Sequence, residues 1–273
     1  MPVLPIESTE ALVVFLLVFF RITGVLLSAP LFSNRGFPVP VRLWVGVLLA
    51  LVMFPVIWGR SADGALLRLL ESEVALVLAV GTELAIGWMI GWIASVMVLA
   101  MQLAGHIVGQ EIGFAIGEVF DPISEGQSAI TTQLFFTLGL VLFVILGGTQ
   151  LVVDAANQSF TVLPPGGMVA AIGAGGALLD PEFLVVDTGN DLFRNGLRIA
   201  LPGMVGLMLA TGAMAILARS VPEMNVFILG FTIRILLGLF TVWMILPLVG
   251  EVFAAGMQVS VEMLDQLLLM WRG

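Results

Sequence analysis

Ala129-Ile-Thr-Thr-Gln-Leu-Phe-Phe-Thr-Leu-Gly-Leu-Val-Leu-Phe-Val-Ile-Leu-Gly-Gly-Thr-Gln-Leu-Val-Val153 lies in an interval with no charged side chain between Glu125 and Asp154. An apolar run of more than about 18 residues is long enough for a helix to cross the hydrocarbon core of a bilayer. The pattern recurs on both sides of it. Further hydrophobic segments run over 11–32, 41–58, 74–105, 199–218 and 224–250, about six in all. Of the 273 residues, 60% are hydrophobic and 11% charged, with a mean hydropathy of +1.14; a soluble domain carries about 25% charged residues. The expected fold is an all-α integral membrane protein, one multi-pass domain over 1–273.

The less apolar parts fill the gaps. The stretch 154–194 holds Leu163-Pro-Pro-Gly-Gly167 and then Asp180, Glu182, Asp187 and Asp191. It reads as an extramembrane loop with one short amphipathic or re-entrant helix. Only Arg219-Ser-Val-Pro-Glu223 separates the last two apolar runs, which favours a hairpin. In the tail 251–273, Phe253, Met257, Val261, Leu264, Leu268 and Trp271 recur at helical spacing. That pattern suits a helix lying in the membrane interface or docked on a partner. Arg35 and Arg42 on one side of the second segment balance Arg60 and Arg68 on the other, so positive-inside counting gives no orientation.

Composition also excludes. Net charge is −9, every basic residue is arginine and no basic run occurs, which argues against nucleic acid and anionic headgroups as partners. Without cysteine there are no disulfides, thiolates or iron–sulfur clusters. With a single histidine, a zinc site would rest on carboxylates alone. No cofactor or metal is expected. Neither a glycine-flanked serine nor a phosphate loop ending in lysine is present, so no enzyme is expected either. The N-terminus, Met-Pro-Val-Leu-Pro-Ile-Glu, lacks a positive n-region, and the first apolar segment is expected to stay in the membrane.

Just before the quoted run stands Gly105-His-Ile-Val-Gly-Gln-Glu-Ile-Gly-Phe-Ala-Ile-Gly-Glu-Val-Phe-Asp121-Pro122. On a helix, Gly105, Gly109, Gly113 and Gly117 form one slowly drifting stripe without side chains, and Glu111 and Glu118 fall roughly opposite it. Small residues four apart let helix backbones approach closely. Carboxylates at membrane depth need water or protein around them. Two readings follow: a hairpin end solvated at the membrane surface, or a segment inside a protein-walled channel.

Arg21, Glu83 and Arg234 interrupt apolar runs, at about 2.5–3.5 kcal/mol each if they faced lipid. Mutual pairing at helix interfaces is the ordinary explanation, and a proton relay through Glu83 the functional one. His106, at a hairpin end, reads as a polar contact. Met89, Met97 and Met101 in one run and Met204, Met208 and Met214 in another are ordinary gap-fillers, or else a deformable collar around a passing chain.

Three stretches together resemble one family. They are Ala104-Gly105-x-x-x-Gly109-x-x-x-Gly113-Phe114-Ala115 followed by Asp121-Pro122; Ser159-Phe160-x-x-Leu163-Pro164-x-Gly166; and Ala200-Leu201-Pro202 followed by Ala218-Arg219-x-x-Pro222-x-x-Asn225-Val226-Phe227-x-x-Gly230-Phe231. Their order and distances resemble the FliR family of flagellar export-gate proteins, itself similar to the SctT components of virulence type III secretion. The resemblance implies kinked helical hairpins assembled with FliP-like and FliQ-like subunits and an FlhB-like protein into a helical gate. That gate would sit in the bacterial inner membrane, at the flagellar basal body, and pass unfolded flagellar proteins. It further implies that the segment after the third apolar run plugs the closed pore, which by position falls on Gly109, Gln110, Gly113, Phe114, Asp121 and Pro122. Prolines 202, 222 and 247 would permit the kinks. Three positions depart from the family pattern: Glu111 and Glu223, where glutamine is common, and Thr232, where proline follows the Gly-Phe pair.

A secondary transporter for a small solute is the alternative from another class. It requires an internal repeat with convergent polar groups near the midplane. The acids here cluster at segment ends instead.

Overall fold

The computed structural model of the chain describes residues 9–33, 36, 38–59, 72–113, 130–173, 182–220 and 226–271, without the side chains of 217, 218, 220, 226–229 and 231. Among the described residues every regular element is helical. In order they are α1 (Thr9–Ser28), α2 (Val39–Trp58), α3 (Glu73–Ile112), α4 (Ile130–Ile145), α5 (Gly148–Val162), α6 (Gly167–Gly173), a π-helical turn (Glu182–Asp187), α7 (Thr188–Ser220) and α8 (Val226–Met270). By length and composition five helices can cross a membrane, or six if the bent pair α4–α5 counts as one span.

Local chemistry sets several ends. α1 stops at Ser28 because Ala29 precedes Pro30, and the residue before a proline is pushed out of helical geometry. α2 opens at Pro38 with a further proline in its first turn, where the missing N–H is no loss. The run quoted first is not one straight crossing. It breaks at Leu146-Gly147 with a 63° bend, and Gly147 takes φ +80°, which a residue without a side chain adopts freely.

Other boundaries also differ from the expectation. α5 carries the chain nine residues past Val153, and α7 begins at Thr188, so much of 154–194 is helical. The buried residues of α5, Gly148, Val152, Ala155, Ala156, Ser159 and Phe160, form a helical stripe made largely of small residues. Such a stripe has little hydropathy and reads as loop. The tail is no separate element, because α8 continues to Met270 and buries Phe253, Met257, Leu264 and Leu268 within the chain. Pro202 lies inside α7 and Pro247 inside α8, as the apolar runs that carry them implied.

The chain divides into two compact units. The first comprises Met1–Ser95, Gly147–Thr188 and Val259–Gly273; the second comprises Val96–Leu146 and Gly189–Gln258. In the first, α1 is central. One of its faces (Ala11, Val14, Val18, Ile22, Leu26) packs with Ala50, Phe54 and Ile57 of α2 and Phe160 of α5. Another (Val13, Leu17) meets Ala79 of α3. The α1–α3 crossing is backbone on backbone. A Cβ on Gly91 would lie 2.6 Å from the Val25 carbonyl oxygen, and one on Gly87 would collide with Arg21 and Val25 backbone. Gly24 and Ser28 face Gly87 and Gly91, each pair four residues apart. This is the small-residue arrangement by which helices associate where lipid gives no hydrophobic drive. The Ser28 hydroxyl then donates to the Trp88 carbonyl at 2.8 Å.

In the second unit the C-terminal half of α3 is central, and each neighbouring helix brings a glycine to it. Gly139 of α4 rests on Met101, Gly196 of α7 on Ala100 and Leu103, Gly203 of α7 on Val108, Gly238 of α8 on Ile112, and Gly256 of α8 on Met97. The methionines therefore fill gaps opposite glycines, a use their unbranched side chains suit.

Candidate functional site

In the first unit the structure pairs two of the costly residues. Arg21 of α1 and Glu83 of α3 are fully buried. Arg21 donates through Nε to Glu83 Oε2 at 2.5 Å and through Nη2 to Oε1 at 3.0 Å. This is a two-pronged guanidinium–carboxylate contact. Nη1 donates to the Ser159 hydroxyl at 3.2 Å and to the Leu163 carbonyl at 3.0 Å. The backbone N–H of Gly166 donates to Glu83 Oε1 at 2.8 Å. The guanidinium also sits 4.2 Å from the centre of the Phe160 ring, a cation–π contact.

The second sequence stretch of the resemblance thus has a physical meaning. Ser159, Phe160, Leu163 and Gly166 form the socket of the ion pair. Gly166 takes φ +79°, a conformation side chains disfavour, and its N–H reaches the carboxylate. Both carboxylate oxygens are engaged, which accounts for Glu83 as half of a structural pair. Sequence reasoning flagged Arg21 and Glu83 but assigned nothing to these four socket residues. Arg234, in the second unit, is half-buried on α8.

The described part of the glycine-rich segment, Gly105–Gly113, belongs to the second unit, and α3 covers it as far as Ile112. Gly105 is buried where α3 crosses α4: a Cβ there would lie 2.7 Å from the Phe135 Cβ and 2.8 Å from the Thr131 carbonyl oxygen. Gly109 is buried as well. α3 ends at Ile112, and Gly113 leaves it with φ +93° while its N–H still reaches the Gln110 carbonyl at 3.1 Å. α3 itself ends before Gly113, and the expected continuation of the stripe to Gly117 falls outside the described residues. Gln110 is exposed and bonded to His106 at 3.1 Å, and Glu111 is half-buried. Phe114, Gly117, Glu118, Asp121 and Pro122 lie outside the described residues.

The third stretch is partly described. Pro202 and Arg219 are exposed on α7, and Gly230 is half-buried on α8 with the Met214 methyl 3.6 Å from a Cβ placed there. Pro222, Asn225 and the side chains of Phe227 and Phe231 lie outside the description.

Long apolar helices, an ion pair buried between two of them and close glycine crossings define a multi-pass, all-helical membrane protein. The chain belongs to the bacterial export proteins, family 1, which matches residues 12–259. It is 26% identical over 236 residues to the flagellar biosynthetic protein FliR of Pectobacterium carotovorum subsp. carotovorum, covering 85% of this chain and 83% of that one. It is likewise 26% identical to FliR of Bacillus subtilis (strain 168), over 81% of each chain. The secretion system apparatus protein SsaT of Salmonella typhimurium is 26% identical over 48% of each chain. The chain is a component of a bacterial export apparatus and not an enzyme.

Proposed function

We propose that this chain is a structural and gating subunit of the flagellar protein export gate in the bacterial inner membrane, required for export of flagellar subunits. The observation that carries this reading is similarity over more than four fifths of the chain to proteins named FliR. The match to SsaT covers about half, which favours the flagellar over the virulence branch. Its partners on this reading are FliP-like and FliQ-like subunits and an FlhB-like protein, with unfolded flagellar proteins in transit.

Helix length supports the same reading. α3 has 40 residues and α8 has 45, hence contour lengths of about 60 and 68 Å at 1.5 Å per residue. The hydrocarbon core is about 30 Å thick. Helices twice that length fit an assembly that rises out of the bilayer better than a simple bundle of crossings.

The segment Gly105–Pro122 acts as the plug: it blocks the lumen at rest and moves when substrate enters. The turn at Gly113 supports this, because the packed part of α3 ends within that segment. The test deletes 109–120 in cells that still assemble the gate. A membrane that leaks small solutes is the expected result, and a tight membrane with normal secretion would count against a plug. Solute uptake by vesicles holding this chain alone would instead favour a transporter.

A further inference from the structure

From Val96 to Gly113 α3 has one open face. Leu99, Gln102, Leu103, His106, Ile107, Gln110 and Glu111 are exposed or half-buried, and every other residue of that stretch is buried. The spacing of three and four residues makes the open positions a single continuous helical face. All the polar side chains of the stretch fall on it: Gln102, His106, Gln110 and Glu111. None lies on the buried side. A lipid-facing surface would not gather two amides, an imidazole and a carboxylate, since each is costly in hydrocarbon. Another long apolar helix of this unit shows the contrast, for α7 opens Leu201, Val205 and Leu209.

We infer that this face of α3 lines the aqueous passage, and that Gln102, His106 and Gln110 form a ladder contacting the backbone of an extended polypeptide in transit. The inference rests on the export-gate reading, deepens it at the α3 end of the proposed plug segment, where His106 and Gln110 fall, and assigns a surface to the moving chain. The rungs stand four residues apart, about 6 Å along the helix. That is close to the ~6.8 Å two-residue repeat of an extended strand. A glutamine amide offers both donors and an acceptor, and neutral histidine one of each. Peptide groups present the same pair on every residue, so the ladder serves any sequence without selecting charge. His106 and Gln110 already meet across one rung at 3.1 Å.

The chain has no cysteine, so single cysteines report without background. The experiment introduces Gln102→Cys, His106→Cys or Gln110→Cys, one at a time, into the full chain in flagellated cells. A membrane-impermeant thiol reagent is applied with and without an export substrate fused to a fast-folding domain that jams the passage. The expected result is labelling at two or more of the positions, reduced severalfold by the jam, with none at Val205→Cys or Leu209→Cys. Labelling that ignores the jam, in cells that export, overturns the inference and returns the face to the membrane surface. No labelling in exporting cells overturns it too, by placing the face against lipid or a partner helix. Export that survives deletion of the whole chain sinks the gate reading itself, and the ladder with it.

Discussion

Neutralising Glu83 would leave the Arg21 guanidinium buried without an opposite charge. Breaking a buried pair costs about 3–5 kcal/mol, whereas exchanging both partners for apolar residues of similar volume is often near neutral. Glu83→Gln is expected to lower thermal stability in detergent and the amount of chain in membranes, and Arg21→Met with Glu83→Leu to recover most of that loss. Ser159→Ala removes one of several partners of the guanidinium and should cost less, about 1.5–3 kcal/mol for a hydrogen bond to a charged group. A proton relay through Glu83 predicts another order: Glu83→Gln folds normally and export stops, and the apolar double variant is equally inactive. The α1–α3 crossing gives a second prediction on the same scale. Gly91→Leu must push apart backbones that leave no room for a Cβ, and overpacking of this kind costs about 1–3 kcal/mol. The same thermal measurement, compared with Gly250→Leu where a Cβ meets nothing within 4 Å, isolates the steric effect from glycine's loss.

At the scale of elements, Gly113 is where the packed helix α3 gives out, inside the segment proposed as the plug. Its φ of +93° is one that a β-branched side chain resists and asparagine accepts more readily. Gly113→Val is therefore expected to reduce swarming on soft agar more than Gly113→Asn, and equal effects would show that the turn geometry is unimportant. The apolar helices themselves were legible because hydropathy over twenty residues overrides local detail, as with Thr9–Ser28 and Val39–Trp58. The break at Gly147 was not, since its glycine pair lies inside an unbroken apolar run and helices tolerate isolated glycines. Nor was α5 beyond Val153, where the buried face is Ala155, Ala156, Ser159 and Phe160 and gives little hydropathy signal. The ion pair was half legible: Arg21 and Glu83 stood out as expensive, but their pairing spans 62 positions in sequence, and no periodicity joins residues that far apart. The socket had a signal in Ser159-Phe160-x-x-Leu163-Pro164-x-Gly166, which resembled the family before its contact with Arg21 could be seen.

For the whole molecule the question is which open surfaces meet lipid or other subunits and which meet water. Large apolar side chains stay exposed along α2, α7 and α8, among them Trp44, Val52, Leu209, Ile216 and Trp243. Surfaces of this extent on one chain call for cover by lipid or by neighbouring helices. The open face of α3 differs in carrying Gln102, His106, Gln110 and Glu111 beside Leu99, Leu103 and Ile107. A charge inserted at each place tells them apart, because arginine at the centre of a bilayer costs about 2.5–3.5 kcal/mol on insertion scales and next to nothing against water. Leu209→Arg should lower the amount of chain recovered in membranes, and with it any partner co-purified, by a factor of tens to hundreds if that cost is fully expressed, since each 1.4 kcal/mol is tenfold. Gln102→Arg should leave membrane recovery close to that of the unaltered chain, whatever it does to export. Equal depletion by both would mean that α3 opens onto the same apolar surroundings as α7. In that case the polar line along α3 would have to be satisfied by partner side chains, and water would be absent from it.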